Sequence, residues 1–176
     1  SKSFNKIVES KSIEIAEFSK LLENIYRSVN IGFINEMKIL ADKMNIDIFD
    51  VIAVASTKPY GFRRFFPGPG IGGHCIPVDP SYLYWKSVKV GLPAKFIKLS
   101  AQINILVLDF IMKKILKNLN SKKTTLSKSK ILILGLSYKK DLDDFRESAS
   151  IKLINKLTKK GIKKISIHDP YVEDKI

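Results

Sequence analysis

Apolar residues recur at helical spacing over the first quarter of the chain: Ile13, Ala16, Leu21, Ile25, Val29, Phe33, Met37, Leu40 and Met44. That spacing predicts one long amphipathic helix from Ile13 to about Met44. Asn45 ends it, and Asp47 caps a shorter helix from Ile48 to Ala55. A stretch rich in glycine and proline interrupts the pattern. Beyond it, Asp79 followed by Pro80 fits an N-cap and a first helical position, opening a helix through about Val90 that Gly91 stops. A further helix is predicted over roughly Pro93 to Leu119.

The period then changes. "NLNSKKTTLSKSK", Asn118 to Lys130, is polar and short of strong helix or strand formers, and it is the best boundary in the chain. After it, "KILILGL" is an apolar run of buried-strand length, "RESASIKLINKLTKKG" is an amphipathic helix closed by Gly161, and "KKISIHDP" is a second strand ended by Asp169-Pro170. The expected organisation is a mostly α central helical domain over 1–118, a linker over 119–130, and the start of an α/β, Rossmann-like domain over 131–176. A βαβ unit implies a parallel sheet, and two strands cannot bury both faces of one. The expectation is therefore that these residues are part of a longer protein.

Composition narrows the function classes. With 45% hydrophobic and 27% charged residues the chain is globular. A single cysteine excludes an internal disulfide; no signal pattern and no membrane-spanning run is visible, so a cytoplasmic setting is expected and no membrane partner. One cysteine and the separated His74 and His168 supply too few soft ligands for a dedicated metal site. The formal charge of +14 invites a nucleic-acid reading. Lys113, Lys114, Lys117, Lys122, Lys123, Lys128, Lys130, Lys139 and Lys140 lie in an acid-free stretch, but without interleaved aromatics or a recognised binding signature. A solvated lysine surface is the plainer reading, attraction to a nucleotide's phosphates the sharper one.

Candidate chemistry centres on "GPGIGGHCIPVDP", which sets Cys75 among Gly68, Gly70, Gly72 and Gly73, with prolines limiting the entropy of the loop. The flanks are unlike those of a buried core cysteine, which favours a nucleophile. His74 is its neighbour, although adjacent residues seldom converge on one point. Asp79 either caps the following helix or serves the thiol. On the first helix Lys20 and Asn24 lie one turn apart; they are either solvent-facing polarity or a cation and an amide aimed at an oxyanion. The turn after "ILIL" has one glycine where a dinucleotide fingerprint needs three, so a nicotinamide site there is not expected. Tyr138 and Lys139 follow that turn, as an ordinary loop or as a base-stacking and phosphate-binding pair.

Together these segments resemble the nucleotide-sugar 6-dehydrogenases, the family of UDP-glucose, GDP-mannose and UDP-N-acetylhexosamine dehydrogenases. "GPGIGGHCIPVDP" is similar to their catalytic-cysteine loop, "EFSKLLENIYRSVNIGFINE" to their central helix, and "KILILGLSYKKDLDDFRES" to the start of their nucleotide-sugar-binding domain. The resemblance spans about Ser10 to Tyr171. It implies that an N-terminal NAD-binding Rossmann domain is absent here and that the C-terminal domain is cut short, so that this piece alone is inactive.

Residue by residue, the resemblance implies Cys75 as nucleophile, Lys20 and Asn24 at the oxyanion, and Asp79 orienting or activating water. The glycine loop, Tyr138 and Lys139 match sugar-nucleotide positions, and Arg63 or Arg64 a phosphate-binding arginine from a neighbouring subunit. The implied reaction oxidises a C6 alcohol to the acid in two hydride transfers to NAD through a thiohemiacetal and a thioester on the cysteine. "TKPYGFRRFFPGPGIGGHCIPVDP" looks more like the UDP-N-acetylhexosamine branch than the UDP-glucose branch, with UDP-N-acetylglucosamine first and UDP-N-acetylmannosamine second. The family's acids feed surface polysaccharides, and the helix over 93–119 corresponds to its dimerisation helix, which implies a homodimer. A cysteine hydrolase using His74 or His168 and a basic nucleic-acid-binding module are the competing classes.

Overall fold

The computed structural model describes residues 7–172. Helix α1 (Ile13–Lys43) opens at Ser12, whose hydroxyl accepts the Ile15 amide at 3.4 Å, and closes where Asn45 turns into the left-handed region at φ 57°. Asp47 caps α2 (Ile48–Ala55) by accepting the Phe49 amide at 2.8 Å. An irregular stretch over 56–78 leads to α3 (Asp79–Lys89) and then α4 (Lys95–Ser121). Strand β1 (Lys130–Leu134), α5 (Ala149–Lys159) and β2 (Lys164–His168) complete the chain. Helix α4 thus runs into the stretch read as a linker, and a short 3-10 turn, Leu126–Lys128, occupies more of it.

The two strands pair in parallel, with Ile131 opposite Ile165 and Leu134 opposite His168. The expected mostly helical body followed by the start of a parallel α/β unit is the observed fold. Ile131, Ile133 and Ile165 pack with Leu157 and Ile162 against Met112 and Ile115 of α4. Lys156 of α5 donates to Asp109 of α4 at 2.6 Å across the same joint, and this holds the Asp109 carboxyl below its usual range. The last turns of α4 are therefore part of the α/β core, which is why that helix does not stop at the compositional boundary. The opposite strand face is open: Leu132 and Leu134 are 59% and 72% exposed.

The buried face of α1 differs from the one its apolar spacing predicts. Ile13, Phe33, Leu40 and Met44 are exposed, whereas Asn24, Ile25, Ser28, Gly32, Ile34, Asn35 and Ala41 are buried. Helix α1 packs chiefly on α4, and the seam between them is built from small and polar side chains. A Cβ at Gly32 would lie 3.2 Å from both the Cβ and the carbonyl oxygen of Ser100, so glycine sets how closely the two helices approach. Buried amides replace hydrophobic knobs here because, as described below, they hold the loop that carries the cysteine. The apolar cluster of this half lies further along α1, where Ile34 and Ala41 meet Ile48 and Ile52 of α2.

Candidate functional site

The glycine loop is held from both sides. Asn35, fully buried, accepts the Gly68 amide on its Oδ1 at 2.9 Å and donates through Nδ2 to Asn104 Oδ1 of α4 at 3.1 Å. Asn104 in turn donates to the carbonyl of Ser28 at 3.2 Å, closing a chain of amide hydrogen bonds among α1, α4 and the loop. Every member of this buried chain is satisfied, the condition under which such a network fixes one geometry. Gly70, at φ 132°, passes so close to α4 that a Cβ would meet the Asn104 carbonyl oxygen at 3.3 Å.

Tyr138 covers the next part of the loop. A Cβ on Gly72 would sit 2.7 Å from Tyr138 Cβ, and one on Gly73, at φ 89°, would sit 2.9 Å from its Cε2. These glycines make room for an aromatic ring from the α/β unit. The main chain that carries the ring is held from behind, because the Tyr138 amide donates to the Asp144 carbonyl at 3.0 Å. Asp144 also accepts from the Arg146 guanidinium at 2.8 and 2.9 Å, which together with the Arg146 amide lowers its carboxyl to about 2. His74 faces the same carboxylate, with Nε2 3.8 Å from Oδ2, and so is directed toward the α/β unit.

Cys75 is a free, exposed thiol immediately before α3. Its carbonyl accepts the amides of Val78 at 3.1 Å and Asp79 at 2.8 Å, so the first turn of α3 is pinned to the cysteine's own backbone. Asp79 is not a cap. Helix α3 has no side-chain cap, and the Asp79 Oδ2 instead accepts Asn24 Nδ2 of α1 at 2.5 Å. The reason is local: the helix opens one residue earlier than the Asp79-Pro80 pair suggests, with Val78 in the cap position and the Ser81 and Tyr82 amides bonded to its carbonyl, so the Asp79 carboxylate is left for the buried Asn24 donor. Asn24 and Asp79, chosen from separate motifs, thus meet although 55 positions apart.

Lys20 does not join that pair. It extends to Glu23 Oε2 at 3.1 Å on the exposed side of α1. Arg27, which spacing did not single out, does join it: its Nη2 donates to Asn24 Oδ1 at 2.7 Å and to Glu23 Oε1 at 2.6 Å. The repeat of polar residues at 20, 23, 24 and 27 on consecutive turns was the available signal. Arg63 and Arg64 are exposed and form no ion pair among the described residues. Nor do the described residues contain a His, Cys, Asp and Glu cluster suited to a metal, or a helix long and apolar enough to cross a membrane.

At the carboxyl end of the sheet a cavity of about 250 Å³ is lined by Gly135, Ser137, Tyr138, Lys139, Asp169 and Tyr171, among others. Asp169 shapes it: Oδ2 accepts the amides of Leu136 at 2.7 Å and Ser137 at 2.9 Å, while Oδ1 accepts that of Tyr171 at 3.0 Å. These backbone donors, Ser137 first, lower its carboxyl to about 2. Lys139 is exposed at the rim. The position, outside the carboxyl ends of parallel strands, is where α/β sheets bind ligands.

Comparison with known proteins gives consistent matches. The central-domain model of the UDP-glucose/GDP-mannose dehydrogenase family matches residues 14–105, and the UDP binding domain of the same family matches 132–176. A UDP-N-acetyl-D-mannosamine dehydrogenase from Campylobacter jejuni is 35% identical over 158 residues, 90% of this chain and 37% of the relative. A UDP-N-acetyl-D-glucosamine 6-dehydrogenase from Salmonella typhi is 34% identical over 165 residues, 94% of this chain and 38% of the relative. Among solved structures, that of a UDP-D-ManNAc dehydrogenase from Pyrococcus horikoshii superposes with a TM-score of 0.82 at 33% identity, over 90% of this chain and 37% of that one. This chain therefore spans little more than a third of the length of the relatives it matches.

Proposed function

The chain belongs to the UDP-glucose/GDP-mannose dehydrogenase family, and from that premise we propose that it is the central and UDP-binding portion of an NAD-dependent nucleotide-sugar 6-dehydrogenase. The substrate in this reading is a UDP-N-acetylhexosamine, oxidised at C6 to the uronic acid for surface-polysaccharide synthesis. The observation that carries it is the meeting of Asn24 with Asp79 at the head of the helix whose first turn is pinned to Cys75.

NAD, when bound, takes up the two hydrides. The residues described here do not fit it: β1 is followed by the single glycine Gly135, and α5 does not open until Ala149, so no helix N-terminus faces a pyrophosphate at that turn. What this chain supplies is the chemistry at carbon. After C6 has lost its first hydride and its hydroxyl proton, the Cys75 sulfur adds to the aldehyde, forming a C–S bond while the carbonyl oxygen takes up a proton; loss of a second hydride and of that hydroxyl proton from the thiohemiacetal leaves a thioester. Water then cleaves the C–S bond, releasing the carboxylate and returning the thiol. The exposed setting of Cys75 is compatible with both the entry of a sugar and the final hydrolysis.

Each oxyanion on this path needs a donor. Asn24 Nδ2 and the Lys20 ammonium are the donors this reading assigns, with Asp79 orienting the hydrolytic water beside Asn24. Lys20 must leave Glu23 to take part, a modest cost because that ion pair is exposed. The cavity at the carboxyl end of the strands, with Tyr138 as one wall and Lys139 at the rim, receives the nucleotide's phosphates. Tyr138 lies against both that cavity and Gly72–Gly73, which links nucleotide binding to the cysteine loop. Arg63 and Arg64, free on the surface, are assigned to the phosphate of a substrate bound by a second copy, in a cytoplasmic homodimer built on α4.

Relatives named for the mannosamine and the glucosamine substrates match at 35% and 34% identity, so the proposal names the N-acetylhexosamine class and both epimers. The test is reduction of NAD by the chain extended to the length of its relatives, offered UDP-N-acetylmannosamine, UDP-N-acetylglucosamine and UDP-glucose. Oxidation of one or both N-acetylhexosamines is expected. Turnover of UDP-glucose alone would overturn the assignment.

A further inference from the structure

The Asn24 side chain has two ends of nearly the same shape, an oxygen that accepts and an NH₂ that donates, and a half-turn about its last bond exchanges them. Only one orientation offers a donor to Asp79. Arg27 Nη2 lies 2.7 Å from Asn24 Oδ1, and a guanidinium donates but never accepts, so it tolerates only the oxygen at that end. With the oxygen held there, Nδ2 is the end left for Asp79 Oδ2 at 2.5 Å. Glu23 holds the guanidinium in turn, accepting the same Nη2 at 2.6 Å while its other oxygen accepts Lys20 Nζ at 3.1 Å. The two cations lower the Glu23 carboxyl, the Lys20 hydrogen bond most and the Arg27 charge next.

From this arrangement we propose that Arg27 is a positioning residue: with Glu23 as its anchor, it fixes the orientation of the Asn24 amide toward Asp79 and ties that amide to Lys20 through one carboxylate. The inference deepens the reading of Asn24 and Asp79 given above and rests on it for its consequence in the reaction. A further observation sets Arg27 apart from a residue that merely packs. Among the described residues its Nε is buried without a partner, an unmade hydrogen bond that works against the residue. A methionine would cover the same α1 surface without that cost. What the guanidinium adds is its donors to Asn24 and to Glu23.

Two measurements test the proposal. In this chain, side-chain amide NMR should find the Asn24 NH₂ protons separated and slow to exchange in the wild type, and averaged or fast in Arg27→Met, while Arg27→Lys retains part of the restraint. Thermal unfolding of each variant checks that the fold persists. An Asn24 amide as restrained in Arg27→Met as in wild type overturns the proposal; so does one that exchanges freely in the wild type itself, a result independent of whether any variant folds. In the chain extended to its relatives' length, Arg27→Met should lower kcat about ten- to a hundredfold, the range for one charge-assisted hydrogen bond, with KM little changed. In an Asn24→Ala background the same substitution should do almost nothing more. Multiplicative losses overturn the proposal, because they mean Arg27 acts by another route. A loosened amide in Arg27→Met, with a wild-type enzyme that oxidises no nucleotide sugar, supports the positioning and overturns the function proposed above.

Discussion

A methyl group added at Gly72 would have to share space with Tyr138, whose Cβ lies 2.7 Å from the position it would take. The nearest atom is close to the backbone, so neither side relaxes cheaply. Gly72→Ala is expected to destabilise the chain by about 1–3 kcal/mol, the usual cost of overpacking, measured by thermal unfolding. Tyr138→Ala should remove most of that penalty in the double variant; an unchanged penalty would mean that the glycine serves a backbone need instead. At this scale the sequence pointed to candidate residues without showing what would surround them. Glycines around a cysteine signalled a close approach, but the ring that approaches is that of Tyr138, far along the chain, and no local spacing encodes that. Likewise Asp79 fits a cap by its neighbours alone, and only the fold brings Asn24 to it.

Elements were legible where the signal is local. Asp47 and α2, the stop at Asn45, and both strands follow from capping, turn and periodicity rules. The buried face of α1 was not, because its apolar stripe is largely exposed and its buried seam carries Asn24, Ser28, Gly32 and Asn35. Apolar periodicity assumes that burial is apolar, and here the buried amides that hold the glycine loop override it. The joint between β1 and β2 yields a pH prediction. The Asp169 carboxyl ties the residues after β1 to the end of β2, and its folded value of about 2 lies below the ordinary carboxylate range. A depressed folded value means that this tie is at full strength above about pH 4 and is lost as pH falls through about 2. Protection of the Leu136 and Ser137 amides, measured as exchange relative to the unfolded chain at the same pH, should hold down to about pH 3 and fall below it; Asp169→Ala, which leaves no acceptor, should show fast exchange at neutral pH. Slow exchange in that variant would contradict the assignment.

For the whole molecule, the pattern of exposed apolar residues carries the most information. Leu99 and Leu106, two turns apart on one side of α4, are 52% and 56% exposed, with Phe96 exposed at the start of the same helix, on a chain whose net charge is +14. The homodimer proposed on α4 would cover that face. Light scattering at micromolar concentration is expected to give twice the mass of the chain, and Leu106→Glu to halve it; a monomeric wild type would contradict the dimer. In the proposed reaction the Cys75 sulfur holds the aldehyde for its second oxidation and for release as the acid. The direct test uses the chain extended to its relatives' length and counts NADH formed per UDP-N-acetylhexosamine consumed, for wild type and Cys75→Ser. Two NADH for each uronic acid in the wild type, with no acid released by the variant, is the expected result. A Cys75→Ser enzyme that still forms two NADH and releases the acid would contradict it.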